Sequence, residues 1–151
     1  MLDETEWERW REAAGDALEA ARDNAARGWH NWACMIAEQA AQLAVKAVLH
    51  GVGRGDRARG HDLVELLAVA ADLAGVPSTD EVTEAALRLS RHYQPTRYPD
   101  ALPGGTPRGR YTVGDAREAQ EDSATVVAAV DAAITSLRAA AAELLQEGDE
   151  E

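Results

Sequence analysis

Arginine, tyrosine and histidine gather in two irregular stretches of the sequence. The first, "GVGRGDRARGHDL", carries Arg54, Arg57, Arg59 and His61 among four glycines. The second, "YQPTRYPDALPGG", carries Arg97, Tyr98 and Asp100 among three prolines. Guanidinium forks grip phosphate oxygens in pairs, and tyrosine faces stack on bases, so these residue types suit a nucleotide or an RNA end. On that reading Arg97, Tyr98 and Asp100 form an anion site, with the Arg54 to Arg59 loop, Arg57 and Arg59 included, as a second wall. The same residues also fit a purely structural strap in which Arg97 pairs with Asp100 or an acidic helix and Tyr98 plugs apolar space. His61 stands either as a helix-start residue bonded to neighbouring backbone or as a phosphate- or proton-handling group beside the arginines. Lys46, the only lysine, suits either an ion pair with a facing helix or a ligand cleft.

Other chemistries find no pattern. There is no Gly-x-Ser-x-Gly, no His-Glu-x-x-His, and no P-loop lysine in the glycine-rich stretch. Four scattered histidines and one cysteine give no metal-ligand spacing, and neither metal nor cofactor is expected. Cys34 lies in an apolar helical run and reads as a buried thiol. His30 and His50 read as structural or solvated, and His92 as a helix-end charge.

A net charge of -12 opposes binding of long nucleic acid through a global field. The charge is uneven, however. Residues 54–110 hold eight acids and eight bases, whereas residues 111–151 hold ten acids and two bases. The locally neutral middle is where the arginines concentrate. With neither a leader pattern nor an uninterrupted apolar run of membrane-spanning length, the expected setting is cytoplasmic, away from membranes.

Helices must position these groups. A capping box at Thr5–Glu8 opens a first helix striped by Trp7, Trp10, Ala14, Leu18 and Ala21. A second runs from about Trp29 to His50, with Asn31, Glu38, Gln39, Gln42 and Lys46 in one narrow polar stripe and apolar residues around the rest, so it needs neighbours on several sides. Trp7 with Trp10, and Trp29 with Trp32, are expected in the core. Asp62 caps a short helix that ends at Gly75 and Pro77; Ser78 and Glu81 box another, stopped by Pro95. About twenty residues without helical period follow, and each residue before a proline should be extended. Thr112 and Asp115 cap a final helix of about thirty residues, about 45 to 50 Å long. The fold class is all-α, one domain over residues 1–147 with an acidic tail at 148–151.

Three blocks in this order and spacing, "WACMIAEQAAQLAVKAVL", "GHDLVELL" and "YQPTRYPDA", resemble the HEPN family of small helical proteins often encoded beside minimal nucleotidyltransferases. The resemblance implies an up-and-down bundle of four to five helices, a homodimer packed through its long helices, and a nucleotide- or partner-binding module acting with a nucleotidyltransferase in a two-component, toxin–antitoxin-like system. The alternative it implies is a metal-independent endoribonuclease, whose members carry Arg-x(4 to 6)-His. There a histidine takes the 2′-hydroxyl proton and an arginine holds the phosphate. In this sequence Arg54 and His61 match that spacing formally, Arg88 and His92 fall one residue short, and no histidine follows Arg97.

Overall fold

A computed structural model describes residues 1–149. Its helices are α1 (Glu4–Ala26), α2 (His30–Gly51), α3 (Leu63–Ala74), α4 (Asp80–Ser90), the single turn α5 (Pro107–Arg110) and α6 (Val113–Asp149), and there is no strand among the described residues. The expected two long helices, two short ones and long last one are all present, and the single turn α5 is added within the stretch read as non-helical. Glu150 and Glu151 of the acidic tail lie outside the described residues; Gly148 and Asp149 belong to α6.

Alanine sets the spacing of the bundle. Ala33, Ala37, Ala41 and Ala44 of α2 and Ala14 and Ala21 of α1 are completely buried, so the two helices approach closely. At one end the Asp3 N–H donates to the Gly51 carbonyl at 2.7 Å, which makes the pair antiparallel. A Cβ at Gly51 would meet Leu2 Cδ1 and Trp7 Cβ at 3.2 Å, a tight approach that those neighbours would have to relieve by a few tenths of an ångström. Larger side chains, among them Val48, Leu49, Leu63, Leu89, Val126, Val130 and Ile134, fill the space between α2, α3, α4 and α6.

Ion pairs fix α6 against α1 and α4. Arg11 donates to both oxygens of Asp131, at 2.8 and 3.0 Å, and Arg138 to both of Glu4, at 3.0 and 2.6 Å. As the α1 number rises the α6 number falls, which makes these helices antiparallel too. Arg88 holds the buried Asp122 carboxylate by two bonds of 2.8 Å. By length and composition α6 could cross a membrane. Its Val126, Val130, Ala133 and Ile134 instead face the core, and its Asp131 is bound to α1.

Helix starts follow local chemistry, shifted in two places. Asp62 accepts from the N–H groups of Val64 and Glu65, and Thr112 and Asp115 form the expected reciprocal box. For α1, Asp3 rather than Thr5 is the cap, its Oδ1 accepting from Glu6 N–H at 3.1 Å. For α4 the cap is Thr79 rather than Ser78. Each stretch offers two capping side chains a short step apart, and the choice follows how the preceding chain packs. Gly75 ends α3 in the left-handed conformation, φ 69°.

The strap departs most from expectation. Past α4 the backbone keeps turning, and the N–H groups of Arg97 and Tyr98 both donate to the Gln94 carbonyl, at 3.0 and 3.1 Å. Pro95 therefore sits inside a turn, where its missing N–H needs no partner, instead of forcing an extended run. The later pre-proline positions behave as expected: Tyr98 (φ −112°, ψ 121°), Leu102 (φ −119°, ψ 150°) and Thr106 (φ −106°, ψ 158°) are all extended. Between them the chain closes into a short turn at Pro99–Ala101, and α5 follows.

A buried amide holds this strap down. Asn31 Nδ2 donates to the Thr96 carbonyl at 3.0 Å, with Asn31 4% exposed and Thr96 fully buried. Leaving a buried carbonyl without its donor costs about 1–3 kcal/mol. Asn31→Ala is expected to lower unfolding free energy by that amount in urea titration, with the slope of the transition unchanged.

Candidate functional site

Two irregular segments lie against the polar stripe of α2, and the candidate residues meet there. Asn31 anchors the strap, and about three turns further along the helix Gln42 Nε2 donates to the His61 carbonyl at 3.0 Å, anchoring the arginine-rich loop. The segments join through Tyr93. The His61 ring stacks on Tyr93 with centroids 5.3 Å apart and planes 20° from parallel, and the Arg97 guanidinium lies 4.7 Å from the same ring's centre. His61 is thus an exposed stacking residue rather than one whose ring bonds local backbone.

Arg97 does not pair with Asp100 or with an acidic helix. Among the described residues no carboxylate comes within 4 Å of it; instead its Nε and Nη2 donate to the Tyr93 carbonyl, and its plane also lies 5.1 Å from the centre of the Tyr98 ring. Of the five N–H groups of a guanidinium, three remain uncommitted. Tyr98 is half exposed, so it does not plug apolar space. It lines a shallow cleft of about 300 Å³ with Gln94, Asp100 and Ala101. Arg57, Arg59 and His61 line a second cleft of about 220 Å³ on the adjoining loop.

Arg54 belongs to neither cleft. Both its Nε and its Nη2 are bound to Asp56, at 3.0 and 3.2 Å, and the structure does not bring it to His61. Lys46 is half buried, without a carboxylate within 4 Å, so the expected ion pair is absent among the described residues; burial pushes its ammonium below its ordinary value, against the opposing field of Glu38.

Glu38 was legible only as part of a polar stripe, and the structure makes it the buried centre of the site. It is fully buried and accepts from the side-chain amides of Gln39 and Gln42. Desolvation pushes its carboxyl above the ordinary range; the two amide hydrogen bonds, then the charges of Arg97 and Lys46, act the other way. One buried acid therefore lies within the field of two cations that have no carboxylate within 4 Å among the described residues.

The remaining candidates are structural. His92 is not a helix-end charge: its Nδ1 lies 3.4 Å from the Tyr111 hydroxyl, and burial pushes its pKa down. His50 stacks on Trp10 with centroids 4.3 Å apart. Burial pushes the Cys34 thiol up to about 12, far from a nucleophilic thiolate at neutral pH. Trp29 and Trp32 are 38% and 39% exposed, not core residues; they sit at the α2 start, where Trp29 borders a shallow cleft with Ala20, Asp23 and Asn24 of α1, and Arg108 covers Trp29 with its guanidinium 3.7 Å from the ring centre. No group of three or more possible metal-ligating side chains occurs among the described residues.

The HEPN domain profile matches residues 7–133. The chain belongs to the HEPN domain family. Among solved structures, TT1696 from Thermus thermophilus is 36% identical with a TM-score of 0.77, covering 84% of this chain and 97% of its own. An archaeal HEPN homologue, ST0689, is 30% identical with a TM-score of 0.69, covering 83% and 95%. The HEPN domain protein tm0613 from Thermotoga maritima is 30% identical with a TM-score of 0.66, covering 84% and 98%. No functionally curated protein gives a significant match. The resemblance carried by the three sequence blocks is thus a family membership, and the HEPN bundle is the observed architecture.

Because the Glu38 carboxyl is raised in the folded HEPN domain, the folded state holds this proton more tightly than the unfolded chain. The ionised form carries a penalty, absent below the ordinary value of 4.5 and growing as pH rises through the folded value. Glu38→Gln removes it. The variant is expected to melt higher than wild type at neutral pH, with the difference closing as pH falls toward 4; a constant difference across that range, read by thermal melts, would contradict a titrating Glu38.

Proposed function

We propose that this HEPN protein is a dimeric module that binds a nucleotide phosphate, and that it acts with a nucleotidyltransferase in a two-component system. The observation that carries the binding reading is Arg97: a guanidinium with no acidic partner among the described residues, ordered by one backbone carbonyl and two tyrosine rings, with three donors uncommitted. An ordered, unpaired cation has already lost its side-chain freedom, so a phosphate meets it with little further entropic cost. Tyr98 offers a stacking face beside it, and Arg57 and Arg59 are further cations on the adjoining loop, where Asp56, Asp62 and Glu65 share their cleft. Asp100, on the Tyr98 cleft, suits the hydrogen-bond donors of a base or ribose. The family supports the partner half of the reading, and the partly exposed Trp32, Ile36 and Leu43 on one side of α2 support a second copy packed there.

The ribonuclease reading is the weaker one because the Arg54 charge is already paired with the Asp56 carboxylate, which a scissile phosphate would have to displace, whereas Arg97 is held by a neutral carbonyl.

Calorimetry with ATP and GTP tests the site. A charge-assisted contact is worth about 1.5–3 kcal/mol, so Arg97→Ala is expected to weaken binding about ten- to a hundredfold, and Arg97→Lys to recover only part of it. Unchanged affinity together with a lower melting temperature would make Arg97 a structural residue and end the proposal. Light scattering at micromolar concentration checks the dimer, with a monomer as the contrary result. Metal-free cleavage of RNA that His61→Ala abolishes would establish the ribonuclease instead.

A further inference from the structure

The last part of α6 outruns the bundle. At 1.5 Å per residue its 37 residues span about 55 Å, against about 33 Å for the 22 residues of α2. Leu144 and Leu145 on this overhang are 70% and 73% exposed. One side of it is not bare surface but the wall of a groove of about 340 Å³, whose other walls are the N-terminal residues and the ends of α2 and α3. Leu2, Val52, Leu73, Leu137, Ala141 and Leu144 line it. On α6 the lining residues recur at steps of four and three, the ridge that a second helix packs into.

Charge says what kind of helix. No basic residue follows Arg138, whereas Glu143 and Glu147 flank the groove leucine, and Asp3 and Asp72 adjoin Leu2 and Leu73. Arg138 itself is taken by Glu4. An apolar trough edged by carboxylates disfavours a second copy of the same edge, because like charges would be brought together at low dielectric. It favours an apolar ridge flanked by lysine or arginine.

We propose that this groove is a docking site for a basic amphipathic helix of a partner protein, lying along the α6 overhang with its apolar residues against Leu73, Leu137 and Leu144. The site lies apart from Arg97 and holds whether or not the nucleotide reading does.

The probe is a fluorescein-labelled peptide of about 18 residues, leucine on one helical face and lysine on the other, with a leucine–glutamate peptide as its counterpart. At physiological ionic strength the lysine peptide is expected to bind the full chain in fluorescence anisotropy and the glutamate peptide not to. Leu144→Glu and Leu145→Glu each add one negative charge, but only Leu144 lines the groove. Leu144→Glu is therefore expected to weaken peptide binding on the order of tenfold or more, with Leu145→Glu within about twofold of wild type. Leu144→Ala, which leaves charge unchanged, should weaken it in the same direction. Binding strengthened equally by both glutamates would reveal a purely electrostatic association and overturn the proposal. So would a wild-type oligomer that Leu144→Glu dissociates in light scattering, since the groove would then be covered by a second copy.

Discussion

Two amide side chains on α2 carry the irregular half of this protein. Asn31 and Gln42 donate to the carbonyls of Thr96 and His61, and those carbonyls belong to the strap and the arginine-rich loop respectively. Irregular backbone laid over a helix has no ladder to satisfy it, so its buried carbonyls need donors from elsewhere. Supplying them from the most buried helix of the bundle fixes both segments in one frame. Tyr93 can then meet His61 and Arg97 at once, and the cations of two loops end up on one surface. A polar stripe on a buried helix, costly by itself, is in this way compensated by the backbone it satisfies.

Glu38 sits within the same stripe under a different constraint. The amides of Gln39 and Gln42 both donate to it, and Gln42 shares its donors between this carboxyl and the His61 carbonyl. The carboxyl thereby orients the amide that orients the loop. Arg97 and Lys46 act on the same carboxyl in the direction opposite to burial, so the ionised form is disfavoured less than burial alone would make it.

Much of the fold was legible in local chemistry. Asp62, Gly75 and the Thr112–Asp115 box mark helix ends because capping depends on a few neighbouring atoms, and the periodic leucines and alanines mark the buried faces. The Arg97 and Arg57–Arg59 stretches stand out as cationic segments by composition alone. What the sequence concealed was tertiary. Nothing local tells that Pro95 lies within a turn, that Arg97 stacks on two tyrosines instead of meeting Asp100, or that Asp56 ties up Arg54. Trp29 and Trp32 share the spacing of core residues, yet they lie at the α1–α2 junction, where both are more than a third exposed. Glu38 looked like one member of a narrow polar stripe, because a sequence carries no sign of which polar face another segment will bury.

The alanine interior between α1 and α2 has a consequence for how this protein can vary over evolutionary time. An alanine has no side-chain rotamers to freeze, so the helices are held by proximity of their backbones rather than by interlocking side chains. Such a contact has almost nothing to lose to truncation and no room for growth, since even one added methylene at Ala37 or Ala41 must push two helices apart. On steric grounds glycine is the one smaller residue these positions admit, whereas the leucines and valines around α3 and α6 can exchange among themselves at small cost. The seam between the first two helices thus has the least steric freedom to vary, and the layers that pack outside it have the most.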